Sequence, residues 1–214
     1  MYRLFYYPSN ASLAPHILLR EIGAPHELVL VDRTRNAQKQ ADYLALNPLG
    51  RIPTLVDGDL VLFETAAICL HLADRHPDAG LAPPVGTDAR SVFHKWLAYL
   101  STTIQTDYLA YYYPERYTTD PSDAARAAVK AATEKRLNDW FDVIEAELEA
   151  RGPWLLGDSY SLLDPYLFLM TRWGRGMARP PKTRAPIGAH AARVLARPAV
   201  AEAVAIEKLA QPVY

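Results

Sequence analysis

The chain has 214 residues, half of them apolar, and its 23 basic and 24 acidic side chains give a formal net charge of -1. That size and composition support one large or two small domains with a buried core, and the interleaved charge excludes a nucleic-acid footprint and a polybasic membrane patch. The lone cysteine, Cys69, excludes an intrachain disulfide framework and fits a reducing compartment; with no membrane-length apolar run and no signal-peptide core after Met1, the expected location is cytoplasmic.

Arg3 to Tyr7 and Glu27 to Val31 read as strands around a helix from Leu13 to Ile22, whose end is marked by Gly23 and Pro25. Thr54 to Val56 and Leu60 to Phe63 form a hairpin around Asp57-Gly58, and a helix from Thr65 to Arg75 follows. The order β-α-β, variable segment, β-β-α is that of an α/β thioredoxin-like domain, expected over residues 1–76. Pro77, Gly80, Pro83, Pro84 and Gly86 make 77–87 a stiff linker. Helical periodicity then runs over Asp88 to roughly Tyr113, Asp123 to Arg151, Ser161 to Trp173, Ile187 to Arg197 and Ala199 to Lys208. Strand signals are absent there, which predicts an all-α second domain over 88–214.

Two motifs carry the chemistry. In Asn47-Pro48-Leu49-Gly50-Arg51-Ile52-Pro53-Thr54 a proline opens an apolar run, fixing the X-Pro bond and leaving the backbone of Ile52 to pair with something other than the sheet. An extended peptide fits that role. Glu64-Thr65 stands where a strand hands over to a helix, so a carboxylate, a hydroxyl and free helix N–H groups converge, a receptor for an amino-acid head group bearing both charges. Ser161-Leu162-Leu163-Asp164 has the form of a capping box and reads as structural. Cys69 sits mid-helix on an apolar face and reads as core; His16 reads as a packing residue or a support to its neighbours, and His71 and His76 lack ligand-spaced partners, so no metal site is expected.

The Ile52-Pro53 clamp and the Glu64-Thr65-Ala66-Ala67-Ile68 turn resemble those of the glutathione S-transferases, and Phe5-Tyr6-Tyr7-Pro8-Ser9-Asn10-Ala11-Ser12-Leu13-Ala14-Pro15-His16 resembles the first strand, catalytic loop and first helix of the bacterial beta-like members. The resemblance covers essentially the whole chain. It implies the two-domain fold of that family, glutathione as cosubstrate, conjugation to a hydrophobic electrophile in the service of detoxification, and a homodimer. It also implies roles by position. The γ-glutamyl head would meet Glu64 and Thr65, the cysteinyl backbone Ile52 beside Pro53, and the glycine carboxylate Arg35 or Arg51. Tyr6, Tyr108 and Tyr112 would line the electrophile pocket, while Trp96, Tyr99 and Trp173 read as core.

The chain departs from the beta class at three positions. Ala11 replaces its cysteine, and Gln105-Thr106 stand where it has a His-Lys pair, which leaves Gln105 as the residue there to meet glutathione. A mixed disulfide at this loop is therefore excluded. What remains is stabilisation of a bound thiolate by a hydroxyl or amide. Lowering a thiol pKa of about 8.5 by two units takes about 2.7 kcal/mol, within the combined reach of a helix N-terminus and one charged hydrogen bond. The donor would be Ser12, Asn10 or Ser9, with Ser12 first as the residue nearest the helix start and Tyr6 next in line after the three. Two other readings stand beside this one: a glutathione-binding or structural protein with little transferase activity, and a specialised glutathione-dependent isomerase, dehalogenase or ether lyase.

Overall fold

Leu4, fully buried, anchors the centre of Tyr2–Tyr6 (β1), which pairs in parallel with His26–Leu30 (β2) and antiparallel with Thr54–Asp57 (β3). Leu60–Phe63 (β4) adds antiparallel to β3, so the computed structural model, which describes residues 1–214, has the mixed sheet order β2-β1-β3-β4. Both early strands start and end one residue before the bounds read from the sequence. In the hairpin Asp57 pairs with Leu60, so the two turn residues are Gly58 and Asp59 rather than Asp57 and Gly58. Gly58 supplies the positive φ the turn needs, while Asp57 stays in the strand and accepts from His71 Nε2 at 3.0 Å.

Helix α1, Leu13–Glu21, is buried continuously from Leu13 to Leu19. After the short helix Ala41–Leu44 (α2), helix α3, Thr65–Arg75, buries Thr65, Ile68, Cys69, Leu72 and Ala73, the stripe of an amphipathic helix. Complete burial pushes the Cys69 thiol far above its ordinary pKa, which makes it an inert core residue.

The chain divides into two units, one of Met1–Pro84 with Val194–Val213 and one of Val85–Arg193 with Tyr214. The last segment thus leaves the helical region to which 88–214 assigns it. Its helix, Pro198–Ile206, lies on α1, tied by Arg20 to Glu202 and by a two-pronged Arg197–Glu21 pair at 2.6 and 2.8 Å. Helical periodicity shows that this segment is a helix but carries no information about which unit its apolar face will cover.

The other unit is helical. Asp88–Ala98 (α4) runs through a π-helical turn, Tyr99–Ile104, into Gln105–Tyr112 (α5), where the sequence reads as one helix. Asp123–Arg151 (α6) buries only Thr133, Leu137, Phe141, Ile144 and Leu148, a single stripe, whereas Leu163–Trp173 (α7) is buried from Leu163 through Arg172 and forms the centre. Asp164 is fully buried and accepts from Leu155 N–H, Ser161 N–H and His190 Nε2 at 2.8 to 3.1 Å. Ala185–Leu195 (α8) and Pro198–Ile206 (α9) complete the order. No helix is long and apolar enough to cross a membrane.

Candidate functional site

Strand directions bring the two motifs together. β1, β2 and β4 run one way and β3 the other, so the segments leaving β1, β2 and β4 and the segment entering β3 share one edge of the sheet. On that edge lie the loop Tyr7 to Ser12, the turn Arg33–Arg35, the Ile52–Pro53 step and Glu64.

The loop is held from below. Ser12 is fully buried, and its hydroxyl accepts from Tyr7 N–H at 3.3 Å and donates to Tyr7 C=O at 3.2 Å. It is therefore spent on the loop and does not cap α1, which begins with no side-chain cap. The residue type of Ser12, the first choice of donor, suits a helix start, but here the fold turns its hydroxyl inward onto Tyr7. Asn10 accepts from Ala11 N–H through Oδ1 at 2.7 Å, which leaves its amide NH₂ to donate. Ser9 sits at φ 62, and its N–H donates to Glu207 Oε2 at 3.1 Å.

Glu207, at the end of α9, is a residue that sequence reasoning missed. Its other oxygen meets His16 Nδ1 at 2.9 Å, both side chains being fully buried, so one carboxylate spans the loop and α1. The Tyr6 ring lies tilted on His16 with centroids 6.4 Å apart. Burial, then the Glu207 charge, raises the Tyr6 pKa, so this phenol keeps its proton. No local signal marks Glu207.

The Ile52–Pro53 peptide is cis. Before it, Arg51 C=O accepts from Tyr43 OH at 2.6 Å and Asn47 Nδ2 at 2.8 Å, and Tyr43 OH also meets Thr54 Oγ1 at 2.9 Å. Ile52 itself is buried with Val31 and Tyr43. These contacts fix the backbone on either side of the clamp. Gly50, at φ 58, allows the approach: a Cβ there would come within 2.7 Å of Gln38 C=O and Lys39 Nζ. Asn47 is legible in the motif, but the part played by Tyr43 is not.

Glu64 is exposed, at φ 72, and makes no cap to α3, so its carboxylate and the first N–H groups of the helix face outward together. Thr65 is buried beneath it. Arg35 and Arg51 are both exposed.

The second unit corrects the pocket expected from its tyrosines. Tyr108 is 1% exposed, its hydroxyl donates to Met170 C=O at 2.8 Å, and its ring packs against Phe141 and Trp173; it is core, not pocket wall. Burial drives its pKa well up, so it stays a neutral phenol. Helical spacing places Tyr108 and Tyr112 on neighbouring turns but does not say which ring is covered. Tyr112 is 46% exposed, with its hydroxyl on Trp173 C=O. Gln105 opens α5, and its side-chain oxygen accepts from Tyr166 OH. Trp96 is buried, as its place in the core reading requires.

Residues 1–74 match the family model described as glutathione S-transferase, N-terminal domain. The chain is 32% identical to glutathione S-transferase GstA of Escherichia coli over 97% of this chain and 99% of that protein. It is similar in structure to a glutathione transferase homologue from Sulfitobacter with bound glutathione, with a TM-score of 0.86 at 30% identity over 94% and 96% of the two chains. A bacterial beta class glutathione S-transferase from Sphingomonas chungbukensis gives 0.82 at 32% identity over 97% and 100%. The chain belongs to the glutathione S-transferase family, and it is a transferase.

Proposed function

We propose that the protein binds glutathione along this edge and activates its thiol for attack on an electrophile. The carrying observation is that the uncapped start of α1, the fixed Ile52 backbone and the outward Glu64 carboxylate all lie at one edge of one sheet. The neighbour from Sulfitobacter, with glutathione bound, supports the same ligand.

Glu64 would take the γ-glutamyl ammonium, the start of α3 the adjoining carboxylate, and Ile52 the cysteinyl backbone. The sulfur then comes to the start of α1. There the helix dipole contributes about 0.3 to 1 kcal/mol and a hydrogen bond from Asn10 Nδ2 about 1.5 to 3 kcal/mol, enough for a pKa drop of one to two units. Ser9 is the second donor in this reading. The thiol proton leaves to water, and the thiolate bonds to the electrophilic carbon, either displacing a leaving group that departs with its electron pair or breaking the π bond of an activated alkene, whose far carbon then takes a proton from water. A second copy covering the exposed Leu60, Val61 and Phe63 of edge strand β4 completes the assembly.

Calorimetry tests the binding, and ultraviolet thiolate absorbance of the complex against pH tests the activation. No bound glutathione sinks the reading. Bound glutathione with the pKa of the free thiol would make the protein an inert binder. Sedimentation at a mass near 23.9 kDa would remove the dimer from it.

A further inference from the structure

We propose that Arg175, at the end of α7 beside the Tyr112 ring, is a specificity-determining cation that selects aromatic electrophiles carrying a carboxylate or similar anion. The proposal deepens the glutathione reading above and rests on it.

The first argument is the fate of the carbonyls where α7 ends. The last turn of a helix leaves C=O groups without partners inside it. Here α5 supplies the donors. Tyr108 OH goes to Met170 C=O at 2.8 Å and Tyr112 OH to Trp173 C=O, while Tyr111 OH reaches Gly176 C=O at 3.3 Å in the turn Gly174–Gly176. Arg175 Nη1 takes Arg172 C=O at 2.9 Å. Each of these phenols spends its proton inward, so the helix end presents ring carbon and a guanidinium in place of carbonyls that would repel an anion.

The second argument is proximity. Arg172 and Trp173 are consecutive, so the guanidinium on one carbonyl and the Tyr112 hydroxyl on the next are neighbours at the helix end. Burial raises the Tyr112 pKa, and the Arg175 charge, followed by that of Arg172, works against the rise.

The third argument is that this pair is both fixed and open. Tyr112 stacks on Tyr108 with centroids 6.2 Å apart and meets the Tyr111 ring in a T at 5.2 Å, yet nearly half its surface is exposed. Arg175 is exposed and makes no ion pair, whereas Arg179 and Arg184 of the same segment are bonded to Asp142 and Lys182 donates to Tyr214 C=O. Glu134, whose charge reaches Tyr111, accepts from Ala178 N–H. A flat acceptor ring laid on Tyr112 carries a substituent past the phenol oxygen to the guanidinium edge not used on Arg172, an edge that matches the two oxygens of a carboxylate.

The test uses glutathione with a chloronitrobenzoate and with its methyl ester, each rate divided by its uncatalysed rate. In both reactions the thiolate sulfur bonds to the chlorine-bearing carbon, the C–Cl bond breaks, and chloride leaves with the electron pair. The wild type should favour the acid. Arg175→Gln should lower the acid-to-ester ratio in kcat/KM about three- to tenfold, the range from an exposed ion pair to a charge-assisted hydrogen bond, and Arg175→Lys should restore part of it. Arg126→Gln, which removes an exposed cation paired with Asp123 on α6, should leave the ratio in place. Because the readout is a ratio, partial loss of folded enzyme does not mimic the effect. An unchanged ratio in Arg175→Gln overturns the proposal, and so does an equal fall in Arg126→Gln, which would trace the preference to overall charge. A raised KM for glutathione with both acceptors slowed alike also overturns it, since that assigns the guanidinium to the tripeptide. Failure of the wild type to bind glutathione in the calorimeter brings down the underlying reading, and the proposal with it.

Discussion

Helix starts in this chain are built in two ways. α4 and α6 begin on Thr87 and Ser122, whose hydroxyls accept from Arg90 N–H and Ala125 N–H, whereas α1 and α3 begin on Ser12 and Glu64 with no side-chain cap. A cap is worth about 1 kcal/mol, and Ser12 has the residue type to supply one. Its hydroxyl is spent on Tyr7 instead. α2, α5, α7 and α9 also begin with no side-chain cap, but the starts of α1 and α3 lie on the clamp edge, where open N–H groups and the dipole suit an anion. The start of α3 thus differs from the start of α7, where the Asp164 carboxylate is saturated by buried donors, in leaving the Glu64 carboxylate open.

The contrast should be sharpest between Asp164 and Glu64. Asp164→Ala at the start of α7 strands buried donors of Ser161, Leu155 and His190, and should cost about 3 to 5 kcal/mol of stability, read from urea midpoints. Glutathione affinity per folded molecule should not follow it. Glu64→Ala should do the reverse: an affinity loss of about 1.5 to 3 kcal/mol, roughly ten- to a hundredfold, with little change in the urea midpoint. Equal binding by this variant would erase the distinction between the two helix starts.

A finer separation lies within the loop. Asn10→Ala should raise the pKa of the bound thiol by about one to two units, whereas Ser12→Ala should leave it in place and cost about 1 kcal/mol of stability through the loss of its two bonds to Tyr7. Thiolate titration of both variants decides this. A shift confined to Ser12→Ala would mean that the buried hydroxyl swings out to the sulfur after all.

The smallest effect is electrostatic. Burial, outweighing its bond to Ala24 C=O and helped by His16 and Arg20, lowers the His26 pKa below its ordinary 6.5. In the window between that lowered value and 6.5 the unfolded chain binds more protons than the folded one, so stability rises with pH. Acidification through this window should therefore weaken the fold, and His26→Gln should flatten that part of the profile in urea titrations at mildly acidic and neutral pH. A parallel profile in the variant would place the slope elsewhere.

Much of this was legible because it is local. Period-two and helical patterns, the proline after Ile52 and the turn at Glu64-Thr65 gave the sheet, the helices and the clamp, since each depends on neighbours a few residues apart. Ala11 in place of a cysteine excluded disulfide chemistry at the loop without any coordinates. The sequence could not say which side of a polar residue would be used. Ser12 and Asn10 have similar capping chemistry, and only the packing turns one inward and leaves the other an amide to donate. Tyr108 and Tyr112 share a helix face, yet one is sealed by Phe141 and Trp173 and the other stays open. Glu207 reaches Ser9 across 198 residues of chain, and Arg33 reaches Tyr7 because two strands lie side by side. Local periodicity fixes what each segment becomes; long-range packing decides which groups meet, because burial is settled by partners that no window of sequence contains.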